Sequence, residues 1–407
     1  MAGCDNEKKL CLILIPFILS SFFSCTENIE EEKSLYEEVK TVVKDFIEKN
    51  EIETSFSVGV YNKDFIFNYY SGVLSLADEK KVKNTQHNLH YIYSISKTFI
   101  GCLIMDLVQQ DKILLSDTVS NFFPTLLEDY NINENYINMD ATIEELLTHR
   151  SGIFDYVDNT KLFTNNPFLK GSWDIFYILN YIEHVKQTSG VFLYSSSNYI
   201  ILGKIVEEVL QKPLNEILRE KYILPLELKN TFLIPQDNID FSLVSCPHVY
   251  PHTTWNLTGD GKNPIDCTTV FSSLPMLKLI GKSSWAAGGI VSNVEDVSRW
   301  GYELFSKNSS IINDEIQKSI YDSIKNYNST DIGTYGIGCR KLYLNNCDTW
   351  FIGYFGRNIG SENLMFYCPK IDVCFTILTS CNQNQKGNPN IDELLLSLYK
   401  CFIKKCI

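Results

Sequence analysis

The chain has 407 residues, 44% of them hydrophobic and 21% charged, enough apolar material for one large domain or two closely packed ones and too much for a disordered chain. Its formal charge of −13 comes without a basic patch, which argues against a nucleic-acid partner and gives no electrostatic attraction to anionic lipid. The six histidines are scattered and no Cys-x-x-Cys spacing occurs among the thirteen cysteines, so no metal site is expected.

At the N-terminus, Lys8 and Lys9 precede an apolar stretch over 10–23, the length of a signal-peptide core and short for a bilayer span. It ends Ser24-Cys25, as at a lipoprotein cleavage site, so residues 1–25 read as a leader with Cys25 as the lipidated residue. A plain signal peptide and an uncleaved anchor are the alternatives. The expected location is the cell envelope, with membrane attachment through lipid on Cys25 or free in the periplasm, and 26–33 reads as a tether. Removal of Cys4 and Cys11 and lipidation of Cys25 leave ten cysteines, an even number. Cys339 with Cys347 and Cys368 with Cys374 each bracket a short turn and suit either bridges or buried thiols.

A helix is predicted over 34–49, then strands over 56–61 and 65–70 joined at Asn62-Lys63-Asp64 as a hairpin. The next helix begins near Ser94 and buries Ile100, Leu103, Ile104, Leu107 and Val108, an i, i+3, i+4 rhythm. From about 111 to 285 the pattern is helix and long loop, including helices over 142–147 and 199–210. A helix over 294–305 follows, then strands over 335–344, 348–353, 363–367 and 373–378 and a last helix over 391–402. Early and late strands are expected in one antiparallel sheet flanked by the first and last helices, an α+β architecture. The domain runs 34–405, its α/β part about 34–110 and 286–405 and its helical insert about 111–285, with a cleft between the two parts.

Ser94 and Lys97, in Tyr93-Ser94-Ile95-Ser96-Lys97-Thr98-Phe99, stand one helical turn apart at the start of the apolar helix. A serine hydroxyl is too weak an acid to attack a carbonyl unaided. A lysine withdrawn from water loses its charge and becomes the base that takes the proton.

Further stretches follow in order: Leu146-Leu147-Thr148-His149-Arg150-Ser151-Gly152-Ile153; Tyr194-Ser195-Ser196-Ser197-Asn198-Tyr199; Ala287-Gly288-Gly289-Ile290-Val291-Ser292; and Tyr335-Gly336-Ile337-Gly338. Together with Ser94-x-x-Lys97 they resemble the signature stretches of the serine β-lactamase and penicillin-binding-protein-like family. The branch is that of class C β-lactamases, D-alanyl-D-alanine carboxypeptidases and related esterases. The resemblance implies Ser94 as acylated nucleophile, Lys97 as its base and Tyr194 as proton relay, with no metal or organic cofactor. It implies an oxyanion hole from the backbone N–H groups of Ser94 and Arg357, each such donor contributing roughly 3 kcal/mol. Substrate contacts are implied at Ser196, Tyr354, Phe355, Gly356 and Arg357.

Two departures stand out. Ser196 replaces the asparagine common two residues after the tyrosine. Tyr354-Phe355-Gly356 stands where the family usually has Lys-Thr-Gly, Lys-Ser-Gly or His-x-Gly, with Arg357 as a candidate substitute cation. The expected activity is acyl transfer on a small-molecule or peptide substrate: a D-Ala carboxypeptidase-like or esterase-like hydrolase, with β-lactamase as an alternative. A non-catalytic receptor for cell-wall fragments is the competing class.

Overall fold

The computed structural model describes residues 14–76, 80–159, 162, 168, 173–248, 274–326, 334–358, 360–381 and 389–404, and for 14–31, 274–275 and 325–326 the backbone alone. Helix α1 (Leu14–Lys49) leads into the hairpin of β1 (Phe56–Tyr61) and β2 (Ile66–Ser71). The hairpin closes at Asn62, whose side-chain oxygen accepts from the N–H groups of Asp64 and Phe65 at 2.9 and 2.6 Å, an Asx turn. Strand β3 (His90–Tyr91) and a single 3₁₀ turn, Tyr93–Ile95, precede α2 (Ser96–Gln109).

The stretch that follows holds short helices α3 (Val119–Phe122), α4 (Leu126–Asp129) and α5 (Ile143–Leu147), the longer α6 (Ser196–Leu210), then α7 (Leu214–Leu218) and β4 (Phe232–Leu233). A capping box starts α5: Thr142 Oγ1 accepts from the Glu145 N–H, and the Glu145 carboxylate accepts from the Thr142 N–H. Helix α8 (Leu274–Gly288), β5 (Ile290–Ser292), α9 (Val294–Phe305) and α10 (Asp314–Asn326) return the chain to the sheet. That sheet is completed by β6 (Thr334–Tyr335), β7 (Arg340–Tyr343), β8 (Trp350–Asn358), β9 (Ser361–Cys368) and β10 (Val373–Thr379), with α11 (Ile391–Ile403) last.

Seven strands form one antiparallel sheet in the order β2-β1-β10-β9-β8-β7-β6, and β3, β5 and β4 form a small second one. The early and late strands meet at β1 and β10, Phe56 opposite Thr379 and Tyr61 opposite Cys374. All seven residues of β10 are buried, because helices cover both faces of the sheet, and its sequence accordingly reads as a mainly apolar run interrupted by Thr376. On one face Val58, Phe366 and Phe375 pack with Val39 and Val43 of α1 and Leu394 and Leu398 of α11. On the other, Tyr354, Met365 and Cys374 join a core that extends through α2 and α9 into the helical stretch, taking in Leu146, Ile178 and Tyr199. One core thus fastens the helical stretch to the sheet.

Two sequence expectations change here, and one left open is decided. The strand expected over 335–344 is two, β6 and β7, split by a tight turn in which Gly336 N–H donates to the Cys339 carbonyl at 2.9 Å and Gly338 takes a φ of +59°. The turn is tucked against α2, where a Cβ on Gly101 would stand 3.0 Å from the Gly338 Cα. The eight cysteines whose side chains are described are all free. Cys368 belongs to the core beneath α1 and α11 and Cys374 to the core on the opposite face, so the sheet itself separates them; Cys339 and Cys347 likewise pack on opposite sides. Finally, residues 26–33 lie within α1. Residues 1–13 of the expected leader lie outside the described residues, as does the side chain of Cys25, and among the described residues no helix is long and apolar enough to cross a membrane.

Candidate active site

Ser94 sits on the 3₁₀ turn, one step before α2 begins. The turn is pinned on one side by the Ile92 N–H, which donates to the Ile290 carbonyl of β5 at 3.0 Å. On the other side β8 comes so close that a Cβ on Gly356 would lie 2.1 Å from the Ile92 carbonyl oxygen. Only glycine allows that approach. Tyr93 holds a φ of +45°, a left-handed conformation that costs a residue with a Cβ about 1–3 kcal/mol and turns the chain sharply into the nucleophile.

Lys97 follows one turn later and is fully buried, at 0% exposure. Its Nζ lies 3.1 Å from Ser94 Oγ and 2.7 Å from the Ala287 carbonyl, the end of the Ala287-Gly288-Gly289 stretch. Burial pushes its pKa down to about 7, against the opposing pull of the Asp155 carboxylate. Near neutral pH the amine is therefore substantially uncharged. One N–H stays on Ala287 and the lone pair is free to take the Ser94 proton.

Tyr194 enters from the loop before α6, its hydroxyl 2.8 Å from Ser94 Oγ. Burial raises its pKa above the usual phenol value, partly offset by the bonds to Ser94 and Tyr354. The Lys97 amine stands 5.2 Å from the centroid of the Tyr194 ring and 5.4 Å from that of Tyr199. The loop is fixed by Asp155, whose carboxylate accepts from the N–H groups of Ser196 at 2.9 Å and Val157 at 3.1 Å. His149, brought round by its φ of +57° and the +77° of Gly152, packs 4.4 Å from the Tyr194 ring. Burial first, and the nearby Lys97 second, hold the imidazole pKa well below its ordinary value, so the ring is neutral.

Ser94 thus touches both Lys97 and Tyr194, and Ser94 and Tyr194 stand at the wall of a cleft of about 250 Å³ that Ser196, Tyr354, Phe355 and Arg357 also border, with Lys97 buried behind them. Arg357 differs from expectation in its side chain. The guanidinium pairs with Glu362 at 2.7 Å and lies 4.4 Å over the Phe355 ring, which packs in the core beneath α1 and α11. The strand's period of two carries it away from Tyr354, so the cation proposed for a substrate carboxylate is committed elsewhere. Its backbone remains next to Gly356, on the stretch of β8 beyond Gly353, the last residue paired with β7.

Sequence reasoning gave no role to His149, Asp155, the Ala287 carbonyl or Arg340. The first three lie in or beside the stretches singled out, yet only the folded chain shows what they touch. Arg340 is buried between the Tyr335 and Phe355 rings, 5.0 Å from each, and also borders the cleft.

The fold and the Ser94, Lys97, Tyr194 cluster define a β-lactamase/transpeptidase-like protein. A family model for beta-lactamases matches residues 39–399, and the chain belongs to that family. It is 27% identical to "Protein flp" of Staphylococcus aureus (strain MW2) over 196 residues, 48% of this chain and 38% of that one. It is also 28% identical to the putative penicillin-binding protein PbpX of Bacillus subtilis (strain 168) over 150 residues, 37% of this chain and 34% of that one. The matches therefore take in well under half the length of these relatives. Among solved structures, the D-amino acid amidase from Ochrobactrum anthropi SV3, complexed with L-phenylalanine amide, superposes with a TM-score of 0.71 at 18% identity, covering 92% of this chain and all of that one. The octameric penicillin-binding protein homologue from Pyrococcus abyssi gives 0.66 at 19%, covering 89% and 76%. A D-stereospecific amidohydrolase from Streptomyces sp. gives 0.66 at 16%, covering 89% and 98%.

Proposed function

We propose that this protein is an exported serine hydrolase that cleaves a peptide, amide or ester bond through an acyl-enzyme on Ser94. The observation that carries the reading is a buried amine, held near pKa 7, within 3.1 Å of a serine oxygen that a tyrosine hydroxyl also touches at 2.8 Å. Neutral Lys97 takes the Ser94 proton as Oγ attacks the carbonyl carbon. The oxyanion is received by the backbone N–H groups of Ser94 and Arg357. As the bond to the leaving group breaks, its electron pair goes to the leaving nitrogen or oxygen, which takes a proton from Tyr194; the proton held on Lys97 restores the phenol. Water then repeats the sequence on the acyl-enzyme and frees Ser94.

Likeness to a D-amino acid amidase and a D-stereospecific amidohydrolase supports amide or peptide substrates ahead of a β-lactam. The absence of a lysine or histidine at position 354 supports the same order, since the cation that usually meets a substrate carboxylate in this family is missing from that position. Export, with lipid on Cys25, rests on the apolar stretch over 10–23 and the Ser24-Cys25 step.

The test is intact mass after incubation with a fluorophosphonate, comparing the native chain with Ser94→Ala. A single adduct on the native chain and none on the variant is the expected result. A native chain that takes no adduct from this or any other acylating probe rejects hydrolysis in favour of a ligand-binding receptor.

A further inference from the structure

Helix α8 is broken three residues before its end. At Trp285 the backbone takes φ +32° and ψ −119°, a conformation that a residue with a Cβ rarely adopts. An unbroken helix points every carbonyl along its own axis. The reversal at Trp285 takes the chain out of that course, and the Ala287 carbonyl two residues on meets the Lys97 amine at 2.7 Å. What holds the reversal is the indole. Trp285 is fully buried, and its ring lies so close to Gly203 of α6 that a Cβ there would stand 2.9 and 3.1 Å from two ring carbons. Its Nε1–H donates to Gln236 Oε1 at 3.0 Å, and the Gln236 amide in turn donates to the Glu207 carboxylate of α6 at 2.7 Å. Beyond the break, the Gly289 N–H donates to the Trp285 carbonyl at 2.6 Å. The side chain is thus clamped towards α6 while its backbone closes the turn that carries Ala287.

We propose that Trp285, wedged against Gly203 and tied to Gln236, is a positioning residue that holds the Ala287 carbonyl on the Lys97 amine. The inference rests on the hydrolase reading and deepens it. An amine with no fixed acceptor rotates about its last bond, and its lone pair sweeps away from Ser94. With one N–H held by Ala287, the lone pair that must take the Ser94 proton stays directed at Oγ, 3.1 Å away. The carbonyl also favours the protonated amine over the neutral one, because an ammonium donates the stronger bond. Moving the carbonyl away therefore lets the amine give up its proton at lower pH. Trp285 does not border the cleft, so it acts through Ala287 and not on the substrate.

The experiment follows the rate of fluorophosphonate labelling across pH in the native chain, in Trp285→Phe, which keeps a ring in the slot and removes the N–H, and in Gln236→Leu, which removes its acceptor. Trp285→Phe should lower the plateau rate about tenfold and move the midpoint of the pH profile down by about one unit, the worth of one bond to a charged amine. Gln236→Leu should shift both in the same direction by less, and it carries the test where Trp285→Phe fails to fold. Loss of folded protein alone lowers the amount labelled and leaves the midpoint where it was. A midpoint that stays put or rises in Trp285→Phe, or in Gln236→Leu where only that variant folds, overturns the inference while the labelled native chain keeps the hydrolase reading. A native chain that takes no adduct removes the hydrolase reading, and this inference with it.

Discussion

Replacing Lys97 with methionine should stabilise the protein while abolishing its chemistry, and the stabilisation should vanish as pH rises. In the unfolded chain the amine titrates near 10.5; in the folded one burial brings it down to about 7. The unfolded state therefore binds more protons between those values, and native stability rises with pH across that window by about 1.4 kcal/mol per pH unit. Below pH 7 the full penalty applies, about 5 kcal/mol for a shift of this size. Methionine fits a similar space and escapes it, but it leaves the Ala287 carbonyl without the donor now 2.7 Å away, a cost of about 1–3 kcal/mol. The variant should accordingly be more stable by about 2–4 kcal/mol at pH 6 to 7 and equal to or weaker than the native chain above pH 9. Equilibrium urea unfolding at pH 6, 7, 8 and 9 measures this directly. The same titration should govern kinetics, the rate of fluorophosphonate labelling climbing with pH and levelling off above about 7. Parallel stability curves for the two chains would show that Lys97 keeps its charge when buried and would refute the reasoning.

Gly356→Ala should destabilise by about 3 kcal/mol and abolish labelling, since the new Cβ would press within 2.1 Å of the Ile92 carbonyl and push β8 off the Ser94 turn; thermal melts and adduct mass read both. Arg357→Ala, with a side chain 54% exposed, should change stability by less than about 1 kcal/mol. The ratio of its rates on carboxylate-bearing and neutral substrates should match that of the native chain, as measured on a peptide and its C-terminal amide.

What the sequence made readable was whatever depends on near neighbours. Ser94 and Lys97 come together because three residues make nearly one helical turn, and the apolar run of β10 announces a strand covered on both sides. The 335–344 stretch misleads because its apolar pattern continues through Gly336 and Gly338, where close packing on α2, and not the pattern, decides the turn. The cysteine spacings left bridges and buried thiols both open for a different reason: spacing brackets a turn but says nothing about which face each thiol takes. Arg357 was misread because the strand expected over 348–353 stopped short of it; only its continuation to Asn358 puts Arg357 on the face opposite Tyr354. His149 was not legible, because its contacts with Tyr354 and Tyr194 cross 205 and roughly 45 positions of sequence and exist only in three dimensions.

The pairing of β1 with β10 joins Phe56 to Thr379, near opposite ends of the chain. During synthesis the first hairpin must wait, one flank bare, until almost the whole polypeptide has emerged from the ribosome, and such distant closures are slow. Truncation at any point before β10 should therefore leave a sticky, uncompleted platform with no reactive serine pocket, and nascent chains should depend on chaperone shelter for most of their elongation.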